Sequence, residues 1–150
     1  MSENGSLKTG VIGVGSMGRH HARVYAQKRA VSLVGVADAD EATAAEVADD
    51  YDTTVMDTDE LLDVADAVTI AVPTRYHRDL TEQALDAGVH VLVEKPFVKG
   101  PAEGETLVEQ ADARDLVLQV GHIERFNPAI QTLQDVLADH EVIAIDAPRL

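Results

Sequence analysis

"LKTGVIGVGSMGRHHARVYAQK", residues 7–28, decides how this chain folds. The first half is an apolar run fit for a buried strand, and from Ser16 onward the composition is that of a helix. Between the two, Gly13, Gly15 and Gly18 stand in a G-x-G-x-x-G spacing. Three glycines so spaced mean little alone; a strand directly before and a helix directly after give each a physical task. Gly13 allows the tight turn, Gly15 lets another group approach the backbone, and Gly18 lets helix and strand pack closely. At the helix start, Ser16 and Met17 lie where unpaired N–H groups and a partial positive charge collect.

The alternation continues outward from there. Residues 30–38, "AVSLVGVAD", read as a second strand, and 40–51 as a helix. Residues 53–56, "TTVM", read as a short third strand, with a short helix over 57–63 opened by acidic residues near its positive end. The fourth strand is predicted over 65–72, a helix over 76–88 closed by Gly88, and the fifth strand over 89–94. A helix over 101–114 and a sixth strand over 115–121 complete the series. Near-continuous apolar strands alternating with helices predict an α/β fold: a doubly wound parallel sheet of the Rossmann type, helices on both faces. Residues 1–121 are expected to form that dinucleotide-binding domain. Residues 122–150 hold a helix entered through Asn127-Pro128 and a last strand, "EVIAIDAPRL", read as the start of a second domain otherwise absent.

Composition narrows the class. Of 150 residues 45 % are hydrophobic but only 3 % aromatic, so Val, Ala, Leu and Ile must fill the core. The absence of cysteine excludes disulfides and thiolate metal sites, and fits a reducing, cytoplasmic setting. No apolar stretch reaches the ~18 residues of a membrane span. A net charge of −15, from 27 acidic against 12 basic residues, repels nucleic acid and anionic membranes, so neither is expected as a partner. The acidity and the scarcity of lysine (Lys8, Lys28, Lys95 and Lys99) resemble proteins of salt-loving archaea. The six histidines show no metal-ligand spacing, and no metal is expected.

The glycine turn acquires a ligand from Asp38, which closes the second strand about 20 residues further on. A carboxylate there can accept hydrogen bonds from both hydroxyls of an adenosine ribose, while a pyrophosphate lies on the helix N-terminus. The same carboxylate repels a 2′-phosphate, and Ala39 and Asp40 bring no arginine to compensate, so NAD is expected over NADP. Ligands of open α/β sheets bind at the carboxyl ends of the strands. The fourth strand ends there in "AVPTRYH" and the fifth in "VEKPF", where Pro96 stops the strand and fixes Lys95.

Together "GVGSMGRHHARVY", "VPTRYH", "VEKPF" and "GHIERFNPA" resemble the glucose-fructose oxidoreductase / inositol dehydrogenase (Gfo/Idh/MocA) family. The resemblance covers essentially the whole chain, and "GHIERFNPAI" looks most like nucleotide-sugar dehydrogenases acting on UDP-N-acetylhexosamines at C3. It implies that Lys95 sits beside the nicotinamide and the substrate hydroxyl as the catalytic acid/base or electrostatic partner, next to Glu94. It places Pro73, Thr74 and His77 in the turn lining the nicotinamide side, although many relatives carry Asn where this chain has Thr74. His122 and Arg125 would face the substrate; otherwise Arg125 pairs with Glu124 or a helix end. His20 and His21 are expected on an exposed helix face, and His77 could equally cap the following helix.

The implied function is hydride transfer between a sugar or nucleotide-sugar secondary alcohol and the nicotinamide. A cyclitol dehydrogenase and a non-catalytic NAD-binding module are the alternatives. Relatives carry a second domain that supplies further catalytic residues and oligomer contacts. The chain alone is therefore expected to bind cofactor with little or no turnover, and a homo-oligomer is possible.

Overall fold

Val11 and Ile12 are neighbours in sequence, point to opposite faces of one sheet, and are both buried. That pair sets the layering. The computed structural model of the chain describes residues 5–138 and residue 144. Strand β1 (Leu7–Ile12) leads into helix α1 (Ser16–Gln27), β2 (Val31–Ala37), α2 (Glu41–Asp50) and α3 (Thr58–Val64). Strand β3 (Ala67–Ile70) follows, then a 3-10 turn at Thr74–Tyr76, α4 (His77–Asp86), β4 (His90–Val93), α5 (Pro101–Ala113) and β5 (Leu118–Val120). A second 3-10 turn, Ile123–Phe126, precedes α6 (Pro128–Leu137), which Asn127 caps by accepting from Ala129 N–H at 3.0 Å.

The five strands are all parallel in the order β2-β1-β3-β4-β5. Val11 and Val36 pack with Ala22 of α1 and Ala44, Val47 and Ala48 of α2. On the opposite face Ile12, Val68, Ile70, Val91 and Val93 pack with Leu61 and Leu62 of α3, Ala84 and Leu85 of α4, and Leu107 and Ala111 of α5. This is the doubly wound Rossmann arrangement the alternation predicts.

The segment read as a third strand does not form one. Of residues 53–56 only Val55 bridges to the sheet, opposite Val36. Val36 N–H donates to Thr54 O at 2.9 Å, and Met56 N–H donates to Val36 O at 3.0 Å. Pairing stops there because Asp57, one residue on, caps α3: its side chain accepts from Glu60 N–H, and the Glu60 side chain accepts from Asp57 N–H. The last predicted strand, 141–150, lies outside the described residues apart from Ala144.

Helix α3 is seated on the sheet through Leu61. A Cβ on Gly10 would stand 2.7 Å from Leu61 Cδ1, and one on Gly35 2.9 Å from the same atom. The Leu61 side chain thus occupies a hollow that two glycines leave over β1 and β2. Replacing Leu61 with Ala empties that hollow, and denaturant titration should show stability lowered by about 2–5 kcal/mol. A loss under about 1 kcal/mol would mean that α3 is not anchored there.

Candidate functional site

The chain passes from β1 to α1 through a turn that no side chain could share. Gly13 has φ +85°, and a Cβ there would lie 2.7 Å from Val72 Cγ1 and 2.8 Å from the Ala71 carbonyl carbon. A Cβ on Gly18 would fall 1.8 Å from Gly13 O, so α1 can start against β1 only with glycine at that position. Gly15 differs: nothing lies within 4 Å of where its Cβ would be. The space over Gly15 is open, as a cradle for an approaching ligand requires. Ser16 and Met17 form the exposed first turn of α1 beside it.

That opening belongs to a groove of about 620 Å3 at the carboxyl ends of β1, β2 and β3. Gly13, Gly15, Asp38 and Pro73, four residues singled out in the sequence, line it together. Asp38 is held rather than free. Its Oδ2 accepts from Val14 N–H at 2.7 Å and its Oδ1 from Asp40 N–H at 2.9 Å. A carboxylate has about four acceptor positions, so two remain for a ligand. Met56, Asp57, Tyr76 and Leu80 complete the walls, and the sequence reading did not place them here. For Met56 and Asp57 the one signal was position, just beyond the strand-like segment at Val55; Tyr76 and Leu80 come from the turn and helix that follow β3.

The end of β4 is built differently. The Lys95–Pro96 bond is cis, and Lys95 is exposed without a carboxylate partner among the described residues. Glu94 turns inward and is 6 % exposed. Its Oε1 accepts from His21 Nε2 at 2.9 Å, and its Oε2 takes a long bond of 3.3 Å from Lys95 N–H. Gly121 leaves room for it, since a Cβ there would press within 3.1–3.2 Å of the carboxylate. His21 is thus not on a solvent face: it reaches from α1 to satisfy a buried carboxylate at the end of β4, two strands away from β1. An unpaired carboxylate is costly to bury, and that cost was the available signal that Glu94 needs a partner. His20, the other histidine of the pair, is exposed.

His77 is 1 % exposed, and both its ring nitrogens are taken by backbone carbonyls, so the ring does not line the groove. It makes no side-chain cap of α4 either. Thr74 is half-buried at the start of the 3-10 turn. His122 and Arg125 are exposed beyond β5. Glu124 accepts from Asn127 Nδ2 at 2.8 Å, and no Arg125–Glu124 ion pair occurs. On the flank of α1 the Arg19 guanidinium, hydrogen-bonded to Glu46 at 3.0 Å, holds that carboxyl below its ordinary range. Among the described residues no three His, Asp or Glu side chains converge as a metal site would need, and no helix is long and apolar enough to cross a membrane.

Residues 7–122 match the family model described as "Oxidoreductase family, NAD-binding Rossmann fold". The chain belongs to the Gfo/Idh/MocA oxidoreductase family. Within it, the chain is 47 % identical over 130 residues to UDP-N-acetylglucosamine 3-dehydrogenase of Acidithiobacillus ferrooxidans, a match spanning 85 % of this chain and 41 % of that enzyme. It is 34 % identical over 140 residues to inositol 2-dehydrogenase 4 of Saccharopolyspora erythraea, spanning 89 % of this chain and 41 % of that one. The crystal structure of the Acidithiobacillus enzyme superposes with a TM-score of 0.83 over 87 % of this chain and 43 % of its own. A gentamicin A biosynthesis protein in complex with NAD superposes at 0.86 with 31 % identity, over 89 % of this chain and 39 % of its own. Biliverdin reductase of Synechocystis, in complex with biliverdin and NADP+, superposes at 0.81 with 29 % identity, over 88 % and 43 %. The chain therefore spans about two fifths of the length of these relatives.

For this Gfo/Idh/MocA domain the two glycines separate fold from binding. Gly15→Ala should unfold within about 1 kcal/mol of the wild type yet lose NADH affinity, because the added methyl enters the cradle. Gly18→Ala should lose about 1–3 kcal/mol of stability, because its methyl meets a carbonyl. Urea titration and NADH fluorescence titration read the two effects. Equal behaviour of the two variants would contradict the assignment.

Proposed function

We propose that the chain is the cofactor-binding part of a dehydrogenase that moves a hydride between a nucleotide-sugar secondary alcohol and NAD, with NAD preferred over NADP. Residues 1–121 would form the binding domain, and 122–150 would lead into a substrate-binding domain. The observation that carries the cofactor preference is Asp38, oriented by two backbone N–H groups at the end of the groove that Gly15 leaves open. Its unused acceptor positions suit ribose hydroxyls and repel a 2′-phosphate. The nucleotide-sugar reading is supported by the 47 % identity to an enzyme named for UDP-N-acetylglucosamine. A cyclitol is the second reading, supported by the inositol dehydrogenase relative.

The bound nicotinamide would supply the hydride acceptor. Ser16, Met17 and the free N–H groups of the α1 start would hold the pyrophosphate. Lys95 is exposed at the rim with no carboxylate partner among the described residues, so its ammonium would be available to a substrate oxygen, to stabilise it and to exchange its proton. Glu94 and Pro73 would fix the walls around that end.

Calorimetric titration of NAD+ and NADP+ in molar KCl tests the cofactor reading. Wild type should prefer NAD+ by roughly tenfold or more, and Asp38→Ala should erase most of that preference, a change of about 1.4 kcal/mol or more. Asp38→Asn, which keeps the shape, should erase it as well. A wild type that binds NADP+ equally well overturns the assignment.

A further inference from the structure

Among the described residues, the hydrogen-bond partners of the His77 ring are all carbonyl oxygens. Nδ1 lies 2.9 Å from Pro96 O and 3.1 Å from Phe97 O, and Nε2 lies 2.8 Å from Val72 O. The side chain is 1 % exposed, so no solvent stands in for a partner. A neutral imidazole has one N–H and one lone pair. In either tautomer that lone pair would point at a carbonyl lone pair from under 3 Å, an arrangement that costs both groups their hydrogen bond where none can be replaced. Two N–H donors satisfy all three carbonyls.

We infer that His77 carries both ring protons and, as an imidazolium, ties the turn after β3 to the loop after β4, so that it positions Lys95 and the nicotinamide end of the groove. Val72 lines the groove, and Pro96 is the residue bonded to Lys95. One ring therefore spans the wall of the cofactor site and the backbone carrying the proposed acid/base. Charge-assisted bonds are the strong ones, and three carbonyl oxygens stand ready to accept from the one cation. On the other side of Lys95, Glu94 is held by His21. Lys95 thus stands between two anchored neighbours while its own side chain stays exposed. The consequence for the nicotinamide rests on the cofactor reading above; the protonation of the ring does not.

The first test is the nitrogen–proton spectrum of the histidine-labelled 150-residue chain near neutral pH. Both ring nitrogens of His77, assigned by their loss in His77→Gln, should appear protonated, each coupled to its own proton. A bare, lone-pair nitrogen at either position overturns the inference. The second test compares NAD+ with ADP-ribose, which lacks the nicotinamide. A Gln side chain can serve Pro96 and Phe97 but leaves Val72 O without a donor. His77→Gln should lose NAD+ affinity by roughly tenfold or more, the size of one charged hydrogen bond, while ADP-ribose binds as before. Equal loss of both ligands makes the residue a packing element and overturns its positioning role.

If His77→Gln does not fold, the wild-type spectrum decides instead. The His77 ring protons, assigned in that case by their proximity to Val72 and Phe97, should shift with NAD+ and not with ADP-ribose, and an identical response to both overturns positioning. A wild type that binds neither ligand removes the cofactor reading and the positioning role with it, while the spectrum still rules on the two ring protons.

Discussion

Nothing wider than a hydrogen atom fits between Gly18 and the carbonyl of Gly13, and the rest of the site depends on that closeness. It lets α1 begin directly over the end of β1, with its unpaired N–H groups turned toward the carboxyl rim of the sheet. The same turn brings Val14 N–H to Asp38, so the end of β2 is tied to the loop it faces. A side chain at position 18 would push the helix away. The groove would then lose its floor, its positive end and the orientation of its carboxylate at once.

The parts legible in the sequence are those set by short-range rules. Strand followed by helix, glycine spacing, an acid at a strand end and a proline that stops a strand each need only a few neighbouring residues to be read. Hence Gly13, Gly15, Asp38 and Pro73 were named from the sequence and meet in one groove. Long-range packing is what the sequence hid. Residues 53–56 have the composition of a strand, yet the cap of α3 claims the residue after them. His21 looked like a surface residue because its partner, Glu94, lies 73 positions away. His77 lies just after two exposed residues, Arg75 and Tyr76, and only the fold shows the three carbonyls closing around it.

Likeness of backbone and choice of cofactor vary independently among the relatives. TM-scores of 0.86 and 0.81 join this chain to one protein solved with NAD and another solved with NADP+. The scaffold alone therefore does not decide which nucleotide fits. At the end of β2 this chain carries a fixed carboxylate, Asp38, and two neighbours, Ala39 and Asp40, without positive charge.

The single bridge at Val55 also bears on what this edge of the sheet offers to another strand. Strand β2 is the outer strand on its side of the sheet, and such rims attract strands from other molecules. Charge usually keeps copies apart, but at molar salt repulsion fades within about 3 Å, and a surplus of acidic residues then protects little. At Val36 the outward N–H and C=O are already occupied by Thr54 and Met56. An arriving strand would find the carboxyl end of the rim taken, by hydrogen bonds that salt does not screen.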